Sequence, residues 1–226
     1  MIIITGASRG VGRYLFETFF SERFEVIGTY NKSIEHISDR HYKIDITDYQ
    51  AVNNWIYSAG LRFENLVLIN CAGISYNTFA HKADINKWHH VIDVNIKGTF
   101  NIIHCLLPVM RKQGYGRIIN FASVVTKLPT VGISAYTASK TAINGLTKVL
   151  AKENASKGIT VNSINLGYSN IGMGVDEVPE GNKKLLLQNI PMGRFCEPSE
   201  IFKTVKFIIE TDYINGSIID LNGGLI

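Results

Sequence analysis

Short runs rich in isoleucine and valine alternate with longer amphipathic stretches along almost the whole chain, from Ile2 to about Leu221. Such alternation is the mark of repeated βα units, in which parallel strands are covered by the helices that connect them. Strands are expected at residues 2–5, 25–29, 42–44, 66–70, 117–121, 160–164 and 217–221. Their apolar positions run on with little period-two alternation, as in strands buried on both faces. The fold class is therefore α/β: a doubly wound, seven-stranded parallel sheet with helices on both faces.

Helices are expected over residues 10–22, 85–111 and 134–156. The interval between Thr29 and Tyr42 is too short for a full helix with loops, so that crossover is abbreviated. Residues 169–194 carry Gly172, Gly174, Pro179, Gly181 and Pro191 without a clean period, which suggests a mobile substrate lid. No repeat, low-complexity tract or linker divides the 226 residues, so residues 1–226 read as a single domain.

Composition narrows the functional classes. Hydrophobic residues at 46% and charged residues at 19% exclude disorder. A net charge of +4 without a basic stripe gives no case for nucleic acid. No apolar run reaches the roughly 18 residues that cross a bilayer, and Met1 leads into Ile2, Ile3 and Ile4 without a charged leader, so a cytoplasmic protein with no membrane partner is expected. Cys71, Cys105 and Cys196 are widely spaced and form no C-x-x-C pair, and His89 and His90 diverge on a helix. Neither a disulfide framework nor a metal site is expected.

Chemistry first shows at Thr5-Gly6-Ala7-Ser8-Arg9-Gly10-Val11-Gly12. This glycine-rich turn lies between a strand and a helix, so it aims free backbone N–H groups at an anion. Glycine is needed where a side chain would block a pyrophosphate or hold the helix off the sheet. Downstream, Asn70-Cys71-Ala72-Gly73 closes the fourth strand and Ser123 follows the fifth. Tyr136 and Lys140 then sit one helical turn apart on a shared face. A Tyr-x-x-x-Lys pair alone carries little, but these three residues would meet at the carboxyl ends of the strands, where open α/β sheets bind ligands.

With these motifs, together with Asn95 and the closing Asn222-Gly223-Gly224, the sequence resembles the short-chain dehydrogenase/reductase family over nearly its whole length. Within that family it is most similar to the 3-oxoacyl-acyl-carrier-protein reductases. The stretches that carry this are Gly116-Arg117-Ile118-Ile119-Asn120, Ser123-Val124-Val125, Pro191-Met192-Gly193-Arg194-Phe195 and Tyr213-Ile214-Asn215-Gly216. The resemblance implies a Rossmann-like fold and hydride transfer between a nicotinamide dinucleotide and a carbonyl or secondary alcohol. A 3-oxoacyl thioester is the first substrate class; a sugar, polyol or secondary-metabolite carbonyl is the alternative. A non-catalytic dinucleotide sensor is a third reading, from which loss of one of these side chains would be expected.

The resemblance also implies residue roles. Tyr136 is the acid, Lys140 favours its phenolate and holds the nicotinamide ribose, Ser123 donates to the substrate oxygen, and Asn95 anchors a water of the proton relay. The cofactor would lie along Gly6, Ser8, Arg9, Gly10, Val11, Gly12, Tyr30, Asn31, Lys32, Asp45, Ile46, Asn70, Ala72, Gly73, Gly167 and Ser169 as well as Tyr136 and Lys140. After the second strand the chain reads Gly28-Thr29-Tyr30-Asn31-Lys32. No carboxylate is there to take a ribose 2′-hydroxyl, and Arg9 and Lys32 suit a 2′-phosphate, so NADP(H) is expected over NAD(H).

Two departures stand out. Leu166 replaces the family's proline after the sixth strand, and Ile171 replaces a threonine that meets the cofactor; Ser169 or Asn170 would have to supply the lost hydrogen bond. The substrate is expected free or bound to an acidic carrier protein, with Lys157, Lys183 and Lys184 as docking charges. Family members assemble through their long helices, so a homo-oligomer, a tetramer or a dimer, is expected.

Overall fold

The computed structural model describes residues 1–32, 37–58, 63–176, 178 and 180–226. Seven parallel strands form one sheet: β1 Ile2–Thr5, β2 Val26–Tyr30, β3 His41–Lys43, β4 Val67–Asn70, β5 Gly116–Ser123, β6 Ile159–Leu166 and β7 Ile218–Leu221. Their order is β3-β2-β1-β4-β5-β6-β7. From β1 the chain winds outward to β3, crosses back to β4 beside β1, and winds the other way to β7. The crevice where the winding reverses lies between the ends of β1 and β4, with Thr5 paired to Asn70.

Side chains leave successive strand positions on opposite faces, and both faces find apolar cover. Ile3, Leu68, Ile118 and Val161 pack under α2 (Tyr49–Ser58), α4 (Thr99–Gln113) and α5 (Ser134–Asn154). On the other face Ile2, Ile4, Ile69 and Ile164 pack under α1 (Gly10–Ser21) and α8 (Pro198–Glu210). This two-sided burial explains the near-continuous apolar strand runs. Helix α8 starts sharply because Pro198 occupies its first turn and Glu197 and Glu200 cap it reciprocally.

Three expectations need correction. Residues 85–111 are not one helix: α3 (Ile85–Ile92) passes through a π-helical turn at Asp93–Gly98 before α4 begins. Ser123 does not follow β5 but is its last residue, because β5 and β6 pair over eight positions as far as Ser123 and Leu166. The stretch 169–194 contains two helices, α6 (Met173–Asp176) and α7 (Glu180–Asn189); its residues 177 and 179 lie outside the described residues. The abbreviated crossover expected between Thr29 and Tyr42 falls partly on residues 33–36, which also lie outside them. No helix among the described residues is long and apolar enough to cross a membrane.

Candidate active site

One cleft of about 1490 Å³ runs over the carboxyl ends of the strands, from Arg9, Tyr30, Asn31 and Lys32 at one end to Ser123, Tyr136 and Lys140 at the other. At its floor the glycine turn is built by close approach. Gly6 sits at φ +68°, and a Cβ there would come 2.8 Å from the Ala72 Cα. A Cβ on Gly12 would lie 2.4 Å from the Gly6 carbonyl oxygen. Side chains at either position would push α1 away from the ends of β1 and β4, so the turn can hold its helix N-terminus over the crevice only as glycine. The Thr5 hydroxyl accepts from the Ala72 N–H at 3.1 Å and ties the two strand ends together.

At the adenosine end Asp45 and Ile46 line the cleft beside Tyr30, Asn31 and Lys32. Partial burial acts to raise the Asp45 carboxyl, but the Thr47 hydroxyl and N–H, the Asn31 side chain and nearby His90 outweigh it and hold the group below the usual range. Asn101, which sequence reasoning missed, donates to the Ile46 carbonyl at 2.9 Å. Gly98 has no side chain to spare there: a Cβ would come 2.6 Å from Ile46 Cγ1. A polar residue one face-turn into an apolar helix was the available signal for Asn101, and His90 stands one turn ahead of Val94 on the cleft wall.

At the other end, helix α5 brings Tyr136 and Lys140 to the cleft while Ala135, Ile143, Leu150 and Ala151 are buried on its sheet side. Lys140 is 5% exposed, and its ammonium donates to the Phe121 carbonyl at 2.7 Å and stands 5.6 Å from the Tyr136 ring centroid. Burial lowers its pKa to about 8, against a partial pull upward from Cys71. The Ser123 Oγ accepts from the Val125 N–H at 3.4 Å, which leaves its proton to be donated.

Asn95 occupies the π-helical turn, a kind of irregularity that re-aims a side chain within a helix. Its carboxamide oxygen accepts from the Ile74 N–H at 2.9 Å, and its nitrogen donates to the Ile74 carbonyl and the Ser139 hydroxyl, both at 2.9 Å. Both side-chain atoms are thus committed to holding the loop after Gly73 against α5. Any water held by Asn95 falls to its backbone carbonyl, which also accepts from the Thr99 hydroxyl. Asn70 works in the same structural way, donating to Asn120, which donates to Thr147.

The expected substitutes for the missing threonine are engaged elsewhere. The Ser169 hydroxyl donates to the Ile171 carbonyl, and the Asn170 amide donates to Glu197 at 2.6 Å. Gly167, Ser169 and Ile171 all line the cleft, and Ile171 also packs against the core beneath α1. A Cβ on Gly172 would lie 3.1 Å from the Gly10 Cα, so the start of the 169–194 segment rests directly on the glycine turn. Lys157 stands in the turn before β6, at the end of the sheet opposite the cleft. Among the described residues no group of three or more His, Cys, Asp or Glu side chains could hold a metal ion.

A glycine-floored cleft at the reversal of a doubly wound sheet, ending in a Ser, Tyr and Lys cluster, defines a dinucleotide-binding oxidoreductase site. The family model described as short chain dehydrogenase matches residues 1–180, and the chain belongs to that family of nicotinamide-dependent enzymes. It is 37% identical to the acetoacetyl-CoA reductase of Rhizobium meliloti (strain 1021), over 98% of this chain and 96% of that one. It is 34% identical to the 3-oxoacyl-(acyl-carrier-protein) reductase FabG of Staphylococcus aureus (strain N315), over 99% and 96% of the two chains. The crystal structure of a 3-oxoacyl-(acyl-carrier protein) reductase from Brucella melitensis superposes with a TM-score of 0.88 at 30% identity, covering 99% of this chain and 90% of that one.

Proposed function

We propose that this protein is an NADP(H)-dependent reductase of 3-oxoacyl thioesters. The observation that carries the substrate class is the division of charge along the cleft. Arg9, Lys32, Asp45 and His90 gather toward the adenosine end, whereas the walls beyond Tyr136 are supplied by Phe79, Val131, Ile133, Leu185 and Leu186. Although Ser75, Asn77, Thr78 and Thr130 also line the cleft, these apolar walls suit an acyl chain better than the hydroxyls of a sugar or polyol. The relatives named for acetoacetyl-CoA and 3-oxoacyl substrates support the same reading.

A nicotinamide bound in the cleft would supply the hydride. Ser123 donates to the substrate oxygen as charge develops on it, and Tyr136 delivers the proton. Lys140, cationic below pH about 8, favours loss of that proton from the phenol and holds the nicotinamide ribose. Gly6, Ser8, Gly10, Val11 and Gly12 would hold the diphosphate. Tyr30 and Asn31 would hold the adenosine ribose, Asp45 and Ile46 the adenine, and Ala72, Gly73, Gly167 and Ser169 would border the nicotinamide side, with Asn70 bracing the strand end behind them through Asn120. Arg9 and Lys32 would face the 2′-phosphate; with no carboxylate in the stretch Gly28 to Lys32 to take a 2′-hydroxyl, they would favour NADPH over NADH.

Residues 1–226 act as one domain, with 169–194 as the substrate lid. Exposed Phe100 on α4 and Val149 on α5 suit a homotetramer built through these helices in the cytoplasm; light scattering at micromolar concentration tests the assembly. The test of function is NADPH oxidation with an acetoacetyl thioester, beside NADH and a panel of sugars and simple ketones. Tyr136→Phe abolishes turnover and leaves NADPH binding near normal. Turnover by that variant, or activity confined to the sugars, would overturn the reading.

A further inference from the structure

We propose that Asn144, through a partly buried polar clamp, fixes Ser123 relative to Tyr136 and Lys140 and is a positioning residue for the reduction. The inference rests on the catalytic reading of those three side chains. Asn144 lies one turn beyond Lys140 on α5, so Tyr136, Lys140 and Asn144 form one stripe along the helix. Its carboxamide nitrogen donates to Asn165 Oδ1 at 3.0 Å and to the Thr126 hydroxyl at 3.4 Å, and its oxygen accepts from the Ser163 hydroxyl at 2.7 Å. Asn165 in turn donates to Asp220 at 3.0 Å, and Asp220 is paired with Lys127 at 2.5 Å.

This set of bonds joins four elements: α5, β6, β7 and the turn Val124–Thr126 that leaves Ser123. Thr126 and Lys127 are three and four residues beyond Ser123, whose own hydroxyl oxygen is bonded inside that turn. Ser163 and Asn165 are fully buried. Farther along, α5 meets the sheet mainly through aliphatic side chains such as Leu150 packed near Val161, with one further side-chain bond, from Asn120 to Thr147. Aliphatic contacts tolerate sliding, while hydrogen bonds of fixed direction and length do not. The polar seam is placed at the end of α5 where two catalytic groups from one element must meet a third from another. A misplacement of about 1 Å there is enough to slow a reaction strongly.

Asn144→Leu keeps the branched side-chain framework and removes all three bonds. The expected result is a fall in kcat of at least tenfold, with the NADPH dissociation constant unchanged. Because the clamp acts through Ser123, the same substitution made in a Ser123→Ala background costs less than about twofold more. Loss of folded protein would scale both backgrounds alike, so this comparison separates positioning from structure. Thr126→Val, a near-isosteric change at the turn itself, serves where Asn144→Leu folds poorly, with a smaller loss that again disappears without the Ser123 hydroxyl. Unchanged kcat in both variants, or equal fold-losses in the two backgrounds, would overturn the proposal. Full turnover by Ser123→Ala alone would instead remove the catalytic reading beneath it.

Discussion

Replacing Lys140 by methionine should make the cofactor-free protein more stable while removing its activity. The ammonium is 5% exposed, and burial draws its pKa from 10.5 to about 8. At about 1.4 kcal/mol per pH unit, the charged side chain costs the folded state about 3 kcal/mol at neutral pH. Methionine fills similar space without charge. Its drawback is the Phe121 carbonyl, which loses the 2.7 Å bond from Lys140 at about 1–2 kcal/mol. The net gain is about 1–2 kcal/mol, a rise in Tm of about 3–6 °C for a chain of this size.

Calorimetry of the two cofactor-free proteins at pH 7 reads that difference, and its pH dependence has a definite sign. Between about pH 8 and 10.5 the unfolded chain keeps the lysine proton and the folded one has released it, so rising pH favours the folded wild type. The variant has no such term, and its advantage should shrink across that window. The Cys71 thiol is pushed up by desolvation and pulled back only in part by the Lys140 charge, so it stays protonated in both folded proteins across that window. A variant that melts below wild type at pH 7, by a margin independent of pH, would refute the argument.

Gly12→Ala places a methyl group 2.4 Å from the Gly6 oxygen; nucleotide affinity, read by fluorescence titration, should fall at least tenfold. Arg9→Ala and Lys32→Ala should each raise the KM for NADPH about fivefold or more and leave that for NADH unchanged, since both side chains are exposed at the adenosine end and engage only the extra phosphate. Equal effects on the two nucleotides would remove the basis for NADP(H) preference.

The strands were legible because a parallel sheet leaves an unbroken apolar record: β1 matches its expected bounds at both ends, and the other strands differ by no more than two residues at an end. The glycine turn was legible because Gly6 and Gly12 are dictated by contacts less than 3 Å from where a Cβ would stand and Gly10 by its positive φ. What escaped the pattern was local. Helix α7 sets Lys183 and Lys184 just before three consecutive leucines, with no buried stripe among its described side chains to mark a period. The commitment of Asn95 to Ile74, and of Ser169 and Asn170 to bonds within their own neighbourhood, depends on partners 2 to 27 residues away. Spacing shows which residues can meet at a strand end; it does not show which donors are already spent.

The π-helical turn at Asp93–Gly98 acts as a phase adjuster. Each residue of an α-helix advances the side chain by about 100°, so one extra residue in a turn rotates everything before it by about that angle relative to everything after. Helix α3 can therefore turn His90 to the cleft while α4 keeps Ile102, Ile103 and Leu106 in the core, although the two are continuous. Neither face would be apparent from a single helical wheel drawn over residues 85–113. For the same reason the chain tolerates substitution here far better than a change of length. Removing one residue between Ile92 and Thr99 would leave every interaction chemically available and almost none in register.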